Sequence, residues 1–81
     1  MNARVYVSLK QTVLDPQGQT IARALAGRGY KGIEDVRQGK VFDIKLAAGP
    51  DGEAARGNIE EIARDILTNP VIEDYRVEFL D

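Results

Sequence analysis

The chain has 81 residues and contains no cysteine, no histidine and no tryptophan. Without cysteine there are no disulfides and no thiolate nucleophile, and without both cysteine and histidine the usual zinc clusters are excluded. Histidine is the one side chain that titrates near neutral pH unperturbed, so its absence removes the commonest general acid–base group. Aromatics are scarce, at three Tyr and two Phe. No apolar run approaches the roughly 20 residues of a membrane helix. The opening MNARVYVSLK lacks the apolar segment of a signal peptide, so a cytoplasmic protein without membrane contact is expected. No run of one charge sign exists either: 11 basic and 13 acidic residues are mixed along the chain, with a pI near 5.1. A basic track for phosphates is therefore missing, and nucleic acid is a poor partner.

This length makes one domain, residues 1–81, with a small core. A core of that size supplies only about 3–5 kcal/mol, so oligomerisation is the expected additional support.

Arg4–Lys10 alternates, with Val5, Val7 and Leu9 on one side and Arg4, Tyr6 and Ser8 on the other, as a strand with one buried face requires. In LDPQGQTIARALAGRGY, Asp15 and Pro16 form a helix start and Gly29 a left-handed stop. Ile21, Ala24, Leu25 and Arg28 share one stripe, while Gly18 and Gly27 each weaken the helix by up to about 1 kcal/mol relative to Ala. GIEDVRQGKVFDIKLA reads either as a hairpin at Gln38-Gly39 or as one long bent strand. The hairpin would oppose Arg37 to Lys40 and Glu34 to Asp43, both like-charge pairs, so the long strand is preferred, with Gly39 at the bend. AGPDGEAARGNIEEIARDILTNP is the strongest helix. Gly49 or Asp51 starts it, Ala55, Ile59, Ile62, Ala63, Ile66 and Leu67 form its apolar stripe, and Asn69-Pro70 ends it. The last strand carries Tyr75, Val77 and Phe79 on one side and Asp74, Arg76 and Glu78 on the other. The short match of Ile33-Glu34-Asp35-Val36-Arg37 to Ile72-Glu73-Asp74-Tyr75-Arg76 is compatible with two similar helix–strand units.

The order β-α-β-α-β predicts an α+β fold. Two helices pack on one face of a small antiparallel sheet with a long bent central strand, and oligomerisation extends the sheet through its open edges.

No constellation for catalysis emerges. The pairs Glu34-Asp35, Glu60-Glu61 and Glu73-Asp74 place their members on different faces, unlike a carboxylate dyad. Gly49-Pro50-Asp51-Gly52 is a turn before a helix, without a phosphate-loop or dinucleotide pattern. The remaining candidates are surface groups for a partner. Lys40 shares parity with Phe42 and Ile44, and reads as a snorkelling lysine or a contact to a partner or anion. Arg37 is similar, facing the other way. Tyr6 and Val41 fall on the sheet face opposite the apolar one, and Arg76 lies on the polar side of the last strand. Tyr75 belongs to the aromatic group suited to an interface. These six, Tyr6, Arg37, Lys40, Val41, Tyr75 and Arg76, are the candidate interface residues. No catalytic, cofactor or metal residue is assigned.

Three stretches carry a family resemblance: VLDPQGQTIARAL, GYKGIEDVRQGKVFDI and LTNPVIEDYRVEF. In order and spacing, from Val5 to Phe79, they resemble the PurS family, the small subunit of the multi-subunit phosphoribosylformylglycinamidine synthase of purine biosynthesis. The resemblance implies a subunit without catalytic residues in a glutamine-dependent, ATP-dependent C–N ligase. It implies a homodimer or dimer of dimers that joins a large synthetase subunit to a glutaminase subunit and helps align the transfer of ammonia. No cofactor is expected on this chain, with ATP and Mg²⁺ in the synthetase. The competing expectation from the residues alone is a regulatory module binding a small molecule. An RNA-binding sheet is the weaker alternative, because it needs aromatics in basic surroundings.

Overall fold

The computed structural model describes residues 1–80. Three antiparallel strands form the sheet: β1 (Asn2–Leu9), β2 (Gly39–Lys45) and β3 (Glu73–Leu80), in the spatial order β2-β1-β3. In register, Val5 stands between Phe42 and Val77, and Ala3 between Ile44 and Phe79. Alternation therefore sends Ala3, Val5 and Val7 to one face, where they are fully buried. The strand in the middle of the chain is an edge in space, and the N-terminal strand is the centre. Both β2 and β3 keep an open edge.

The second helical region covers the inner face. It comprises α2 (Pro50–Gly57), α3 (Ile59–Ile62) and a π-helical turn, Ala63–Leu67. Gly49 takes a left-handed φ of 88° before Pro50, and Asp51 and Glu53 occupy the positive first turn. Ile59 and Ala63 lie one turn apart and point into the sheet, joining Ala3, Val5, Val7 and Leu46 in the core. The π turn accommodates one extra residue at the end. There Thr68 turns its hydroxyl back to donate to the Ala63 and Arg64 carbonyls. Asn69 then closes the connection: its carbonyl accepts from the amides of Ile72 (3.1 Å) and Glu73 (2.8 Å), and Pro70 prevents further helix.

The helix α1 (Pro16–Gly27) begins and ends as its sequence predicts. Pro16 occupies the first turn, the Asp15 carboxylate accepts from the Gly18 amide at 2.9 Å, and Gly29 adopts φ 87° after the last turn. Its place in the fold differs from the expectation of two helices side by side on the sheet. No α1 side chain belongs to the core, and Ile21 stays exposed. The segment Ile33–Gln38, expected to continue β2, is not paired within the protomer. The reason is register. β2 meets β1 from Asn2 to Ser8, and Gly39 already faces Ser8, so residues before Gly39 have passed the end of their neighbour. With α1 and this segment off the end of the sheet, the molecule measures 53 × 26 × 14 Å. Its radius of gyration is 16.5 Å, against about 12 Å for a compact chain of this length.

Candidate subunit interface

The six candidate residues separate into two groups. Tyr6, Val41 and Arg76 come together on the outer sheet face. Tyr6 sits on the central strand directly opposite Val41 on one side and Arg76 on the other. The Arg76 guanidinium lies 4.1 Å from the Tyr6 ring centroid, a cation–π contact. Val41 is exposed. The row is flanked by ion pairs: Arg4–Asp43 at 2.7 Å, Lys10–Asp74 at 2.7 Å and Arg76–Glu78 at 3.4 Å. The Asp43 carboxylate, through hydrogen bond and charge, holds the Arg4 guanidinium protonated well beyond its ordinary range. The helices α2 and α3 pack on the opposite face, so this surface is an apolar and aromatic row framed by satisfied charges. That composition suits a protein interface: a central tyrosine and arginine with a polar rim.

The other three are engaged inside the protomer. Arg37 donates to the Val13 carbonyl at 2.6 Å and the Gln11 carbonyl at 2.9 Å, pinning the β1–α1 loop. Lys40 lies on the inner face at the end of the sheet, 3.7 Å from the Glu73 carboxylate and 5.9 Å from the Phe42 centroid. Tyr75, also on the inner face, donates its hydroxyl to Glu60 at 3.1 Å, and this bond together with burial pushes its ionisation up.

Around Arg37 stands a polar clasp that residue-type reasoning missed. The Asp15 carboxylate accepts from the Gln38 amide at 2.7 Å with one oxygen and from the Gly18 amide at 2.9 Å with the other. The Gln38 bond, then the Gly18 bond, lowers the Asp15 pKa below its ordinary 3.8. The only signal in the sequence is Asp15 as a helix cap. Its second partner, 23 residues on, is a tertiary fact. A cleft of about 350 Å³ lies beside the clasp, with Asp15, Lys40 and Glu73 among its walls.

Also unforeseen are apolar side chains left in water. Ile66 is 74% exposed and Val71 78%, and Tyr30 and Ile33 are exposed too. The sequence pattern places Ile66 in the core stripe. The structure leaves it beside that stripe, because Ile59 and Ala63 already occupy the line over the sheet and the π turn changes the phase after them.

Comparison with known proteins gives this surface its context. The family model described as PurS: Phosphoribosylformylglycinamidine (FGAM) synthase matches residues 2–81. The PurS subunit of phosphoribosylformylglycinamidine synthase from Mycobacterium leprae is 44% identical over 75 residues, covering 93% of this chain and 90% of that protein. The Methanocaldococcus jannaschii PurS subunit is 38% identical, covering 94% and 90% respectively. Among solved structures, Bacillus subtilis PurS superposes with a TM-score of 0.77 at 40% identity, covering 95% of this chain and 94% of that one. A chain of the Thermotoga maritima PurLQS structure superposes at 0.80 with 30% identity, covering 98% and 95%. The fold, the length and the sequence agree from end to end, and the chain belongs to the PurS family of phosphoribosylformylglycinamidine synthase.

Proposed function

We propose that this chain is the non-catalytic adaptor subunit of a cytoplasmic phosphoribosylformylglycinamidine synthase complex in purine biosynthesis. It acts as a single domain that self-associates and joins the large synthetase subunit to the glutaminase subunit. Ammonia released from glutamine then reaches the ATP-dependent amidation of formylglycinamide ribonucleotide. The observation that carries this reading is the end-to-end match to a chain of the PurLQS assembly.

The physical task suits such a module. Two active sites that exchange ammonia must be held in register, and an adaptor does this by raising their effective concentration, without a titrating group of its own. ATP and Mg²⁺ belong to the synthetase. The outer-face row of Tyr6, Val41 and Arg76 is the part of the adaptor offered to the other subunits. Lys40 lies at the end of the opposite face, and Arg37 and Tyr75 serve by holding the loop and helix that frame the sheet.

The test is reconstitution. Purified synthetase and glutaminase subunits from the same organism are assayed with and without this chain, using glutamine or free ammonia as the nitrogen donor. The expected result is a requirement for the chain with glutamine and a much weaker one with ammonia. Equal activity without the chain under both donors refutes the adaptor role.

A further inference from the structure

The cleft beside the Asp15 clasp is built from four segments distant in sequence. Val7 and Leu9 of β1 supply apolar wall, Asp15 and Gln17 come from the start of α1, Gln38 and Lys40 from the entry to β2, and Glu73 from the start of β3. Its volume of about 350 Å³ is at the low end of the range of about 300–1,000 Å³ for small-molecule sites. That suits a single small metabolite better than a nucleotide.

The polar groups in its walls differ in what they have left to offer. Asp15 is engaged on both oxygens, by the Gly18 and Gln38 amides. Lys40 and Glu73 are not. Their charged atoms stand 3.7 Å apart, beyond hydrogen-bond distance, so the donors of the Lys40 ammonium keep no protein acceptor among the described residues. The Glu73 carboxylate accepts from the Asn69 amide at 2.8 Å with one oxygen and leaves the other, which faces Lys40, open. The Glu73 side chain is only 14% exposed, so its charge is little screened. The side-chain amides of Gln17 and Gln38 have no hydrogen-bond partner among the described residues.

This set selects by charge. Two carboxylates against one ammonium leave the walls with an excess of negative charge, which turns away phosphates and dicarboxylates. A lone cation meets Lys40, and a lone carboxylate meets Glu73. A zwitterion satisfies both: its ammonium donates to the open Glu73 oxygen, its carboxylate accepts from Lys40, and two opposed dipoles lie side by side. In a free α-amino acid the two groups are one carbon apart, a spacing comparable to that of the Lys40–Glu73 pair, whereas in a peptide different residues carry them. Beyond the head group, Gln17 and Gln38 offer N–H and C=O to a neutral polar side chain, and Val7 and Leu9 offer apolar contact to its carbons.

We propose that the cleft binds a free α-amino acid with a neutral polar side chain, held at its head group by Lys40 and Glu73. The occupant bridges the starts of α1, β2 and β3, so binding ties the base of α1 to the sheet and raises stability with ligand concentration. The site does not depend on the adaptor reading, which stands or falls separately on the reconstitution assay.

The experiment is a ¹⁵N NMR titration of the full chain, paired with thermal unfolding, with L-glutamine, L-asparagine and L-serine as probes. N-acetyl-L-glutamine, which lacks the ammonium, L-glutaminamide, which lacks the α-carboxylate, and inorganic phosphate are the controls. At least one of the three amino acids should give saturable shifts of the Gln38, Lys40 and Glu73 amides below about 10 mM, with a rise in Tm. Both head-group controls should bind at least about tenfold more weakly. Lys40→Met keeps the stem without the charge, and Glu73→Gln keeps a carbonyl for the Asn69 amide; each should weaken binding at least about tenfold. The ligand controls read the parent chain, so the test does not hang on the variants folding. No saturable shift with any of the three amino acids overturns the proposal. So does equal binding of a head-group control, tighter binding of phosphate, or unchanged binding by either folded variant.

Discussion

Gly18 and Gly27 lie in the same helix and are equivalent on propensity grounds. Replacing either with Ala should stabilise by about 0.5–1 kcal/mol. The structure assigns them opposite signs. Around Gly27 a Cβ would meet nothing within 4 Å. At Gly18 it would fall on the Val36 carbonyl oxygen, far inside van der Waals contact, and lie 2.9 Å from the Asp15 carboxylate. The obstacle is backbone that the adjacent Gln38–Asp15 bond holds in place, so a rotamer change cannot relieve it. Overpacking costs about 1–3 kcal/mol. Rigid backbone puts the cost in the upper part of that range, and the propensity gain offsets under half of it. Gly18→Ala should therefore destabilise by about 1–2 kcal/mol, a fall in Tm of roughly 5–15 °C for a domain of this size. Gly27→Ala should raise Tm by a few degrees. The assay is thermal unfolding by circular dichroism at one fixed protein concentration, because association makes Tm concentration-dependent. A Gly18→Ala chain that melts at or above the parent would refute the reasoning about the clasp.

Three further predictions address other parts of the molecule. The Asp15 pKa is depressed in the folded state, so its stabilisation is complete above the ordinary value of 3.8 and is lost as pH falls through the folded value. The Tm gap between the parent and Asp15→Asn, which cannot titrate, should hold steady from neutral pH to about pH 4 and then narrow toward pH 2; a gap that widens on acidification contradicts the assigned hydrogen bonds. Ile59 is fully buried between helix and sheet, and truncation to Ala should cost about 2–5 kcal/mol. That equals most of what a core of this size supplies, so a chain retaining a sharp thermal transition near the parental Tm would show that the core lies elsewhere. Arg76→Glu should weaken binding to the synthetase–glutaminase pair with little change in Tm, whereas Arg37→Glu should lower Tm because it frees the Gln11 and Val13 carbonyls; pull-down and melting curves together separate the two outcomes.

Much of this molecule was legible from local chemistry. The alternation of Val5, Val7 and their neighbours named the buried face of β1, because strand side chains have a period of two. Asp15-Pro16 and Gly29 marked the ends of α1, and Asn69-Pro70 the end of the second helical region, because capping and proline geometry involve only adjacent backbone groups. Tyr6 and Val41 were placed on the outer face by parity alone, and the register confirms that placement. Three family-like segments, with their order and spacing, carried the identification with PurS.

The tertiary structure decided the rest. Periodicity says that the α1 stripe is apolar, but not whether its cover comes from the same chain, and here no α1 side chain enters the protomer's core. The run Ile33–Lys45 reads as one strand because each residue has the right type. Only Gly39–Lys45 forms a ladder, since pairing depends on where β1 ends. Arg37 and Asp15 read as a surface charge and a cap. They are the two halves of a clasp between segments more than twenty residues apart. Local sequence specifies which groups need partners. Which partner each one finds depends on the path of the chain.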